Sequence, residues 1–169
     1  MNKLIKGCLL VLASFSFFAV VGTTTGQAAS KTVALPKSYR GTWYLYGGVS
    51  MDSANKLPVF TVVRLKLQSK KLNLGVYTTN TPDLKSQAWQ LSIASPVTYT
   101  KRIKKGHPAV YRVLPRSMEG ESLAILGKTK VKVKVLNKRV KALRINLDGD
   151  LVYAFRRPLQ SHAMDTLLD

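Results

Sequence analysis

From residue 31 onward, stretch after stretch of the chain places an apolar residue at every second position. In 59–68, Val63, Leu65 and Leu67 fall on one side while Arg64, Lys66 and Gln68 fall on the other. Leu72, Leu74 and Val76 alternate with Asn73 and Gly75 after a turn at Ser69-Lys70-Lys71, Trp89, Leu91 and Ile93 with Gln90 and Ser92, and Val131, Val133 and Val135 with Lys130, Lys132 and Lys134. A period of two is the mark of a strand with one buried face; a helix needs three- and four-residue spacing, which none of these runs has. Prolines and glycines such as Pro58, Gly75, Pro96, Gly106, Pro115 and Gly127 cut the chain into short segments rich in Val, Ile, Thr, Tyr and Leu. The pattern predicts an all-β domain over 31–158, a single antiparallel meander barrel with a β-sandwich as the alternative, and a short tail at 159–169.

The first thirty residues are of another kind. Lys3 and Lys6 give a positive start, Gly7 to Val21 is apolar and uncharged, and Gln27-Ala28-Ala29-Ser30 offers small residues. This is the layout of a secretory signal, expected to be cleaved between Ala28 and Ser30. The apolar run is shorter than the roughly 20 residues of a membrane-spanning helix. Cleavage would remove Cys8, the one cysteine, leaving a secreted domain of about 139 residues with no disulfide, thiol nucleophile or cysteine metal ligand.

The carboxy-terminal meander predicts its own register. A three-residue loop at Asn137-Lys138-Arg139 places Val133 opposite Leu143 and Val131 opposite Ile145. A second loop at Asp148-Gly149-Asp150 then sets Ile145 opposite Tyr153 and Leu143 opposite Phe155, burying the same face twice. The rival is a two-residue Asp148-Gly149 turn, which would bury Val152 and Ala154 instead.

Leu35-Pro36-Lys37-Ser38-Tyr39-Arg40-Gly41-Thr42-Trp43-Tyr44 resembles the opening of small secreted proteins of lactic-acid bacteria that carry R-G-T-W-Y after the signal. Gly41-Thr42-Trp43 also resembles the G-x-W signature of the lipocalins, a calycin-type family. That resemblance implies an eight-stranded up-and-down barrel around an apolar ligand, with the tryptophan closing the floor and a late arginine packed across it. Trp43 matches the first, and Arg156 or Arg157 the second. The family's T-D-Y-type middle motif is absent. Fold-level likeness does not establish function.

Charge is the loudest functional signal. The chain carries +19; without Lys3 and Lys6, 25 basic residues face 8 acidic ones, a net +17. Such a domain repels itself and associates quickly with polyanions. Lys130, Lys132 and Lys134 project from one strand face about 6.6 Å apart. The expected register adds Arg144 opposite Lys132 on that face and Arg156 on the next strand, with Lys138, Arg139 and Lys141 around the turn. Lys101-Arg102-Lys104-Lys105 forms a second cluster in an expected loop. Anionic cell-envelope polymers or a membrane surface are the expected partners; no helix-turn-helix, zinc-finger or RNP-type aromatic motif points to specific nucleic acid.

No catalytic motif is found. His107 and His162 lack metal-ligand spacing, so no metal or other cofactor is expected. Gly120-Glu121-Ser122 lacks the flanks of a nucleophile elbow. Glu119 and Glu121 are expected on one strand face as salt-bridge partners, and Tyr44 and Tyr46 opposite Trp43, where exposure would suit sugar contact. The sequence therefore reads as a secreted, monomeric, non-enzymatic protein that binds anionic envelope polymers, with a lipocalin-like carrier of a small hydrophobic ligand as the alternative.

Overall fold

A computed structural model describes residues 32–81, 84, 87–117, 121–133 and 136–158, with the backbone alone at 87–90. The expected signal at 1–30 and tail at 159–169 lie outside the described residues. Nine strands follow in order: β1 (Thr32–Val33), β2 (Gly41–Met51), β3 (Pro58–Leu67), β4 (Lys71–Thr79), β5 (Gln87–Arg102), β6 (Val110–Pro115), β7 (Ala124–Val133), β8 (Lys138–Leu147) and β9 (Asp150–Phe155). From β2 to β9 each strand pairs antiparallel with the next, and β9 returns to β2 through Tyr44 and Phe155. The result is a closed eight-stranded up-and-down barrel, to which β1 is added beside Tyr99 and Thr100 of β5. Closure abolishes the free sheet edges that an open meander would expose.

The long strand β5 serves two neighbours in turn. Its first half pairs with β4 as far as Pro96, and from Val97 onward it pairs with β6. Inward positions follow the period of two read from the sequence. Val63, Leu65 and Leu67 of β3, Leu72 and Val76 of β4, Val97 and Tyr99 of β5 and Leu143 and Ile145 of β8 all enter one core. Each fully buried aliphatic side chain there contributes about 1.5–3 kcal/mol.

The carboxy-terminal meander does not take the expected register. Val131 lies opposite Val140 and Val133 opposite Lys138, so the β7–β8 connection spans 134–137 rather than Asn137-Lys138-Arg139. The difference is an odd number of residues, and an odd slip exchanges the two faces of a strand. Leu126, Leu143 and Ile145 face the barrel interior, whereas Val133 and Ala142 join Phe155 in a second cluster on the outer face, with Val131, Val140 and Tyr153 against it. The second loop is the two-residue turn: Leu147 pairs with Asp150, and Asp148 and Gly149 have φ of 49° and 99°. Ile145 thus faces Val152 and Leu143 faces Ala154, not Tyr153 and Phe155. Positive φ at both central residues matches the twist of a hairpin, which a flat reading of the meander ignores. The barrel is also filled by Tyr99 and Tyr111 from the far wall and by Trp43 of the neighbouring β2, so small residues suffice on β9.

Gly149 has nothing within 4 Å of an added Cβ, so substitution there tests backbone strain alone. Gly149→Ala is expected to lower unfolding stability in urea by about 1–2 kcal/mol. Asp148→Asn, which keeps a side chain tolerant of positive φ, should stay within about 0.5 kcal/mol of the parent. Equal stability of all three proteins would contradict the tight turn.

Candidate functional site

The up-and-down order puts the chain before β2, the β3–β4, β5–β6 and β7–β8 connections and the chain after β9 at one end of the barrel. That end is closed. Pro36 to Arg40 makes a tight turn in which the Tyr39 and Arg40 amides donate to the Pro36 carbonyl at 2.9 and 3.4 Å. Arg40 Nε donates back to the Leu35 carbonyl at 2.6 Å, and Leu35 is fully buried. Trp43 Nε1 donates to the Tyr39 carbonyl at 2.7 Å, satisfying the indole's single donor inside the core. The Tyr39 hydroxyl donates to the Ala109 carbonyl at 3.0 Å, and its ring meets Tyr111 edge-on with centroids 4.9 Å apart. Burial, with Tyr111 adding to it, pushes the Tyr39 hydroxyl above its ordinary pKa.

Across this floor lies Arg156. Its guanidinium carbon is 3.7 Å from the Trp43 ring centroid, and Nη1 and Nη2 donate to the carbonyls of Thr42 and Ser38 at 3.3 and 3.2 Å. Of the two arginines that the lipocalin resemblance allowed, the ring is covered by Arg156. Gly41 makes the approach possible: it has φ of +100°, and an added Cβ would stand 2.7 Å from Nη1. Burial lowers the guanidinium from its usual pKa, though it remains a cation.

Charge is segregated along the barrel axis. The carboxylates of the described residues, Asp52, Glu121, Asp148 and Asp150, all lie in or beside connections at the far end. Glu121 precedes β7 in its connection and is not on a strand face, and Glu119 lies outside the described residues. The closed end carries cations instead. Lys128, Lys130 and Lys132 of β7 continue the face that Leu126 turns into the core, below the level of the floor. Lys130 is opposite Lys141 and Lys132 opposite Arg139, all four exposed. Like charges directly opposite across a ladder are destabilising, and no ion pair among the described residues offsets them. Lys128 Nζ stands 5.2 Å over the Tyr39 ring, and Lys101 lies opposite Tyr111 at the lower end of β5.

Of the residues expected to bind polyanions, the fold brings together Lys130, Lys132, Arg139 and Lys141. Lys138 opens β8 on the other face, opposite Val133. Arg144 is a correction: it lies opposite Gly127 and Tyr153 on the outer wall, not opposite Lys132, because the odd register shift turns it away. Arg156 is another, held on Trp43 rather than on the cationic face. Lys134 lies outside the described residues. Lys128 was missed, although the alternation that marks Lys130 and Lys132 reaches it two residues earlier. Lys101 and Arg102 close β5, while Lys104 and Lys105 are in the loop. Tyr44 and Tyr46 do oppose Trp43, half-buried, with Tyr46 against Phe60.

Inside the barrel is a cavity of about 50 Å³, lined by aliphatic side chains including Leu45, Leu65, Leu74, Val113, Leu126 and Ile145. It is well short of the roughly 150 Å³ that accepts a benzene ring. The hydroxyl of the fully buried Tyr99 has no hydrogen-bond partner, and burial pushes its pKa up to about 12, with Arg40 pulling the other way. Among the described residues no group of three or more His, Cys, Asp or Glu side chains is placed to hold a metal ion. No protein-family model, curated protein or solved structure matches the chain.

Two outcomes are expected at the floor. Arg156→Ala should cost about 1–3 kcal/mol in denaturant unfolding, from the lost ring contact and the two carbonyls left without a donor. Gly41→Ala should cost at least as much, and the double variant less than the sum, since both act on one contact. Tyr99 makes stability fall at high pH. The unfolded chain loses this proton near pH 10 and the folded chain near 12, so the folded state holds the extra proton between them. Stability from this group is intact below pH 10 and declines by about 1.4 kcal/mol per pH unit up to 12. Tyr99→Phe should flatten that decline and be neutral or stabilising at pH 7; an unchanged alkaline profile would assign the loss elsewhere.

Proposed function

We propose that this protein is a secreted, non-enzymatic binding protein that associates with anionic envelope polymers through the basic closed end of its barrel. The observation that carries the reading is the segregation of charge. Four cations, Lys130, Lys132, Arg139 and Lys141, face one another across the β7–β8 ladder with no carboxylate of the described residues among them, and those carboxylates sit at the opposite end. An arrangement that costs folding energy and lowers the potential barrier to a polyanion is what electrostatically driven association uses. Tyr39 adds a rigid aromatic base under Lys128 at the edge of the cluster.

The carrier reading ranks second. A cavity lined by aliphatic side chains suits an apolar ligand, but about 50 Å³ holds only a few carbon atoms without expansion of the barrel.

The test is binding of the purified protein to cell walls, with and without teichoic acid, across a salt series. Binding that needs the polymer and weakens linearly on a log–log plot of salt supports the reading. Lys130→Gln with Lys141→Gln should reduce that slope by about 1.5, at roughly 0.7–0.9 per charge lost, whereas Arg144→Gln should leave binding near the parent value. Affinity insensitive to salt would discard the electrostatic role.

A further inference from the structure

Seven large apolar side chains of the described residues are exposed, and they are unevenly placed. Val49, Met51, Leu57, Leu91 and Leu151 belong to the half of the barrel that carries the described carboxylates. The other two, Ile103 and Leu136, stand at the basic end, one in each of two neighbouring connections. Ile103, 65% exposed, sits between β5 and β6 with Lys101 and Arg102 before it and Lys104 and Lys105 after it, all exposed. Leu136, 41% exposed, sits between β7 and β8, two residues ahead of the exposed Lys138 and Arg139.

A hydrated polyanion in solution can neutralise those cations but offers nothing to an aliphatic side chain among them. An anionic lipid surface offers both partners within a few ångströms: headgroup phosphates for the ammonium and guanidinium groups, and an acyl boundary for the aliphatic tips. Lysine and arginine stems lie along apolar material while their charged ends stay at the headgroup level, so basic residues flanking an aliphatic tip suit such a boundary. The two tips lie at the same end of the barrel because the β5–β6 and β7–β8 connections must, in an up-and-down order. A surface meeting one can therefore meet the other.

We infer that the basic end docks on an anionic lipid bilayer, with Ile103 and Leu136 entering the headgroup boundary and the flanking Lys101, Lys104, Lys138 and Arg139 on lipid phosphates. The barrel then stands on its closed end with the described carboxylates turned away from the membrane. This rests on the reading of that end as an anion-binding surface and adds a lipid headgroup layer to the anions that the end meets.

The experiment compares the protein with its Ile103→Ser, Leu136→Ser double variant on phosphatidylcholine vesicles with and without phosphatidylglycerol, and on soluble polyphosphate. Both substituted side chains are exposed, so the fold should be retained, which circular dichroism checks. The parent is expected to bind only the phosphatidylglycerol vesicles, and the double variant to bind them about a hundredfold more weakly, roughly tenfold for each tip. Polyphosphate affinity should be the same for both proteins. In a Cys8→Ser background, an environment-sensitive dye on Ile103→Cys should shift to the blue on these vesicles, and the same dye on Leu57→Cys should not. Undiminished vesicle binding by the double variant, or an unshifted dye at 103, overturns the insertion. Binding to polyphosphate without binding to vesicles overturns the lipid and leaves the anion-binding surface standing. Binding to neither removes both.

Discussion

Arg156 fastens the last strand of the barrel to the first. Between β9 and β2 the ladder consists of one residue pair, Tyr44 with Phe155, where every other neighbouring pair of barrel strands shares at least three. The residue that follows Phe155 supplies what the ladder lacks: a guanidinium flat on the Trp43 ring and hydrogen bonds to the Ser38 and Thr42 carbonyls. A planar cation suits this place better than an ammonium, since it stacks and donates in two directions at once. Gly41 has to lack a side chain for the contact to exist. Closure, the sealed floor and the position of the turn at Pro36–Arg40 all depend on this one arrangement.

The floor also divides the barrel into two environments. Above it, the inward face of β7 carries Ala124 and Leu126 in the core; below it, the same face carries Lys128, Lys130 and Lys132 into solvent. At that point β7 leaves β6, whose ladder with it ends at Leu126, and keeps β8 alone beside it. The outward face reverses in the opposite sense, from half-buried Ile125 to fully buried Val133 in the second cluster. The proposed anion-binding role uses this cationic end of the barrel rather than its apolar interior.

The alternation read for β3 survived in the structure because burial in a strand is a local matter of parity, whereas Leu91 of β5, read on an apolar face, is exposed. Val63, Leu65 and Leu67 are buried and Arg64 and Lys66 exposed, as their alternation says. Pairing is not local. For β7–β8 the sequence offers two apolar sets, Val131 with Val133 and Leu143 with Ile145, and setting them opposite each other on one face gives that face the larger core. The folded chain buries both sets, on opposite faces of the same hairpin, so maximising one face chose the wrong register. The same error moved Arg144 onto the cationic face and left out Lys128. The Asp148-Gly149 turn was legible as a rival, because positive φ is a local demand that Asp-Gly meets.

The alternation, the turn residues and the excess of cations are properties of the chain itself, and they sufficed for an all-β barrel with a strongly basic surface. Gly41-Thr42-Trp43 and the late arginines marked the two ends of the floor contact, but either Arg156 or Arg157 could have supplied it. Tertiary structure decided which arginine covers Trp43, which lysines share a face, and that the described carboxylates gather at the far end. The physical reason is that strand parity is set by neighbours along the chain, whereas register, stacking and the summed field depend on residues brought together only when the barrel closes.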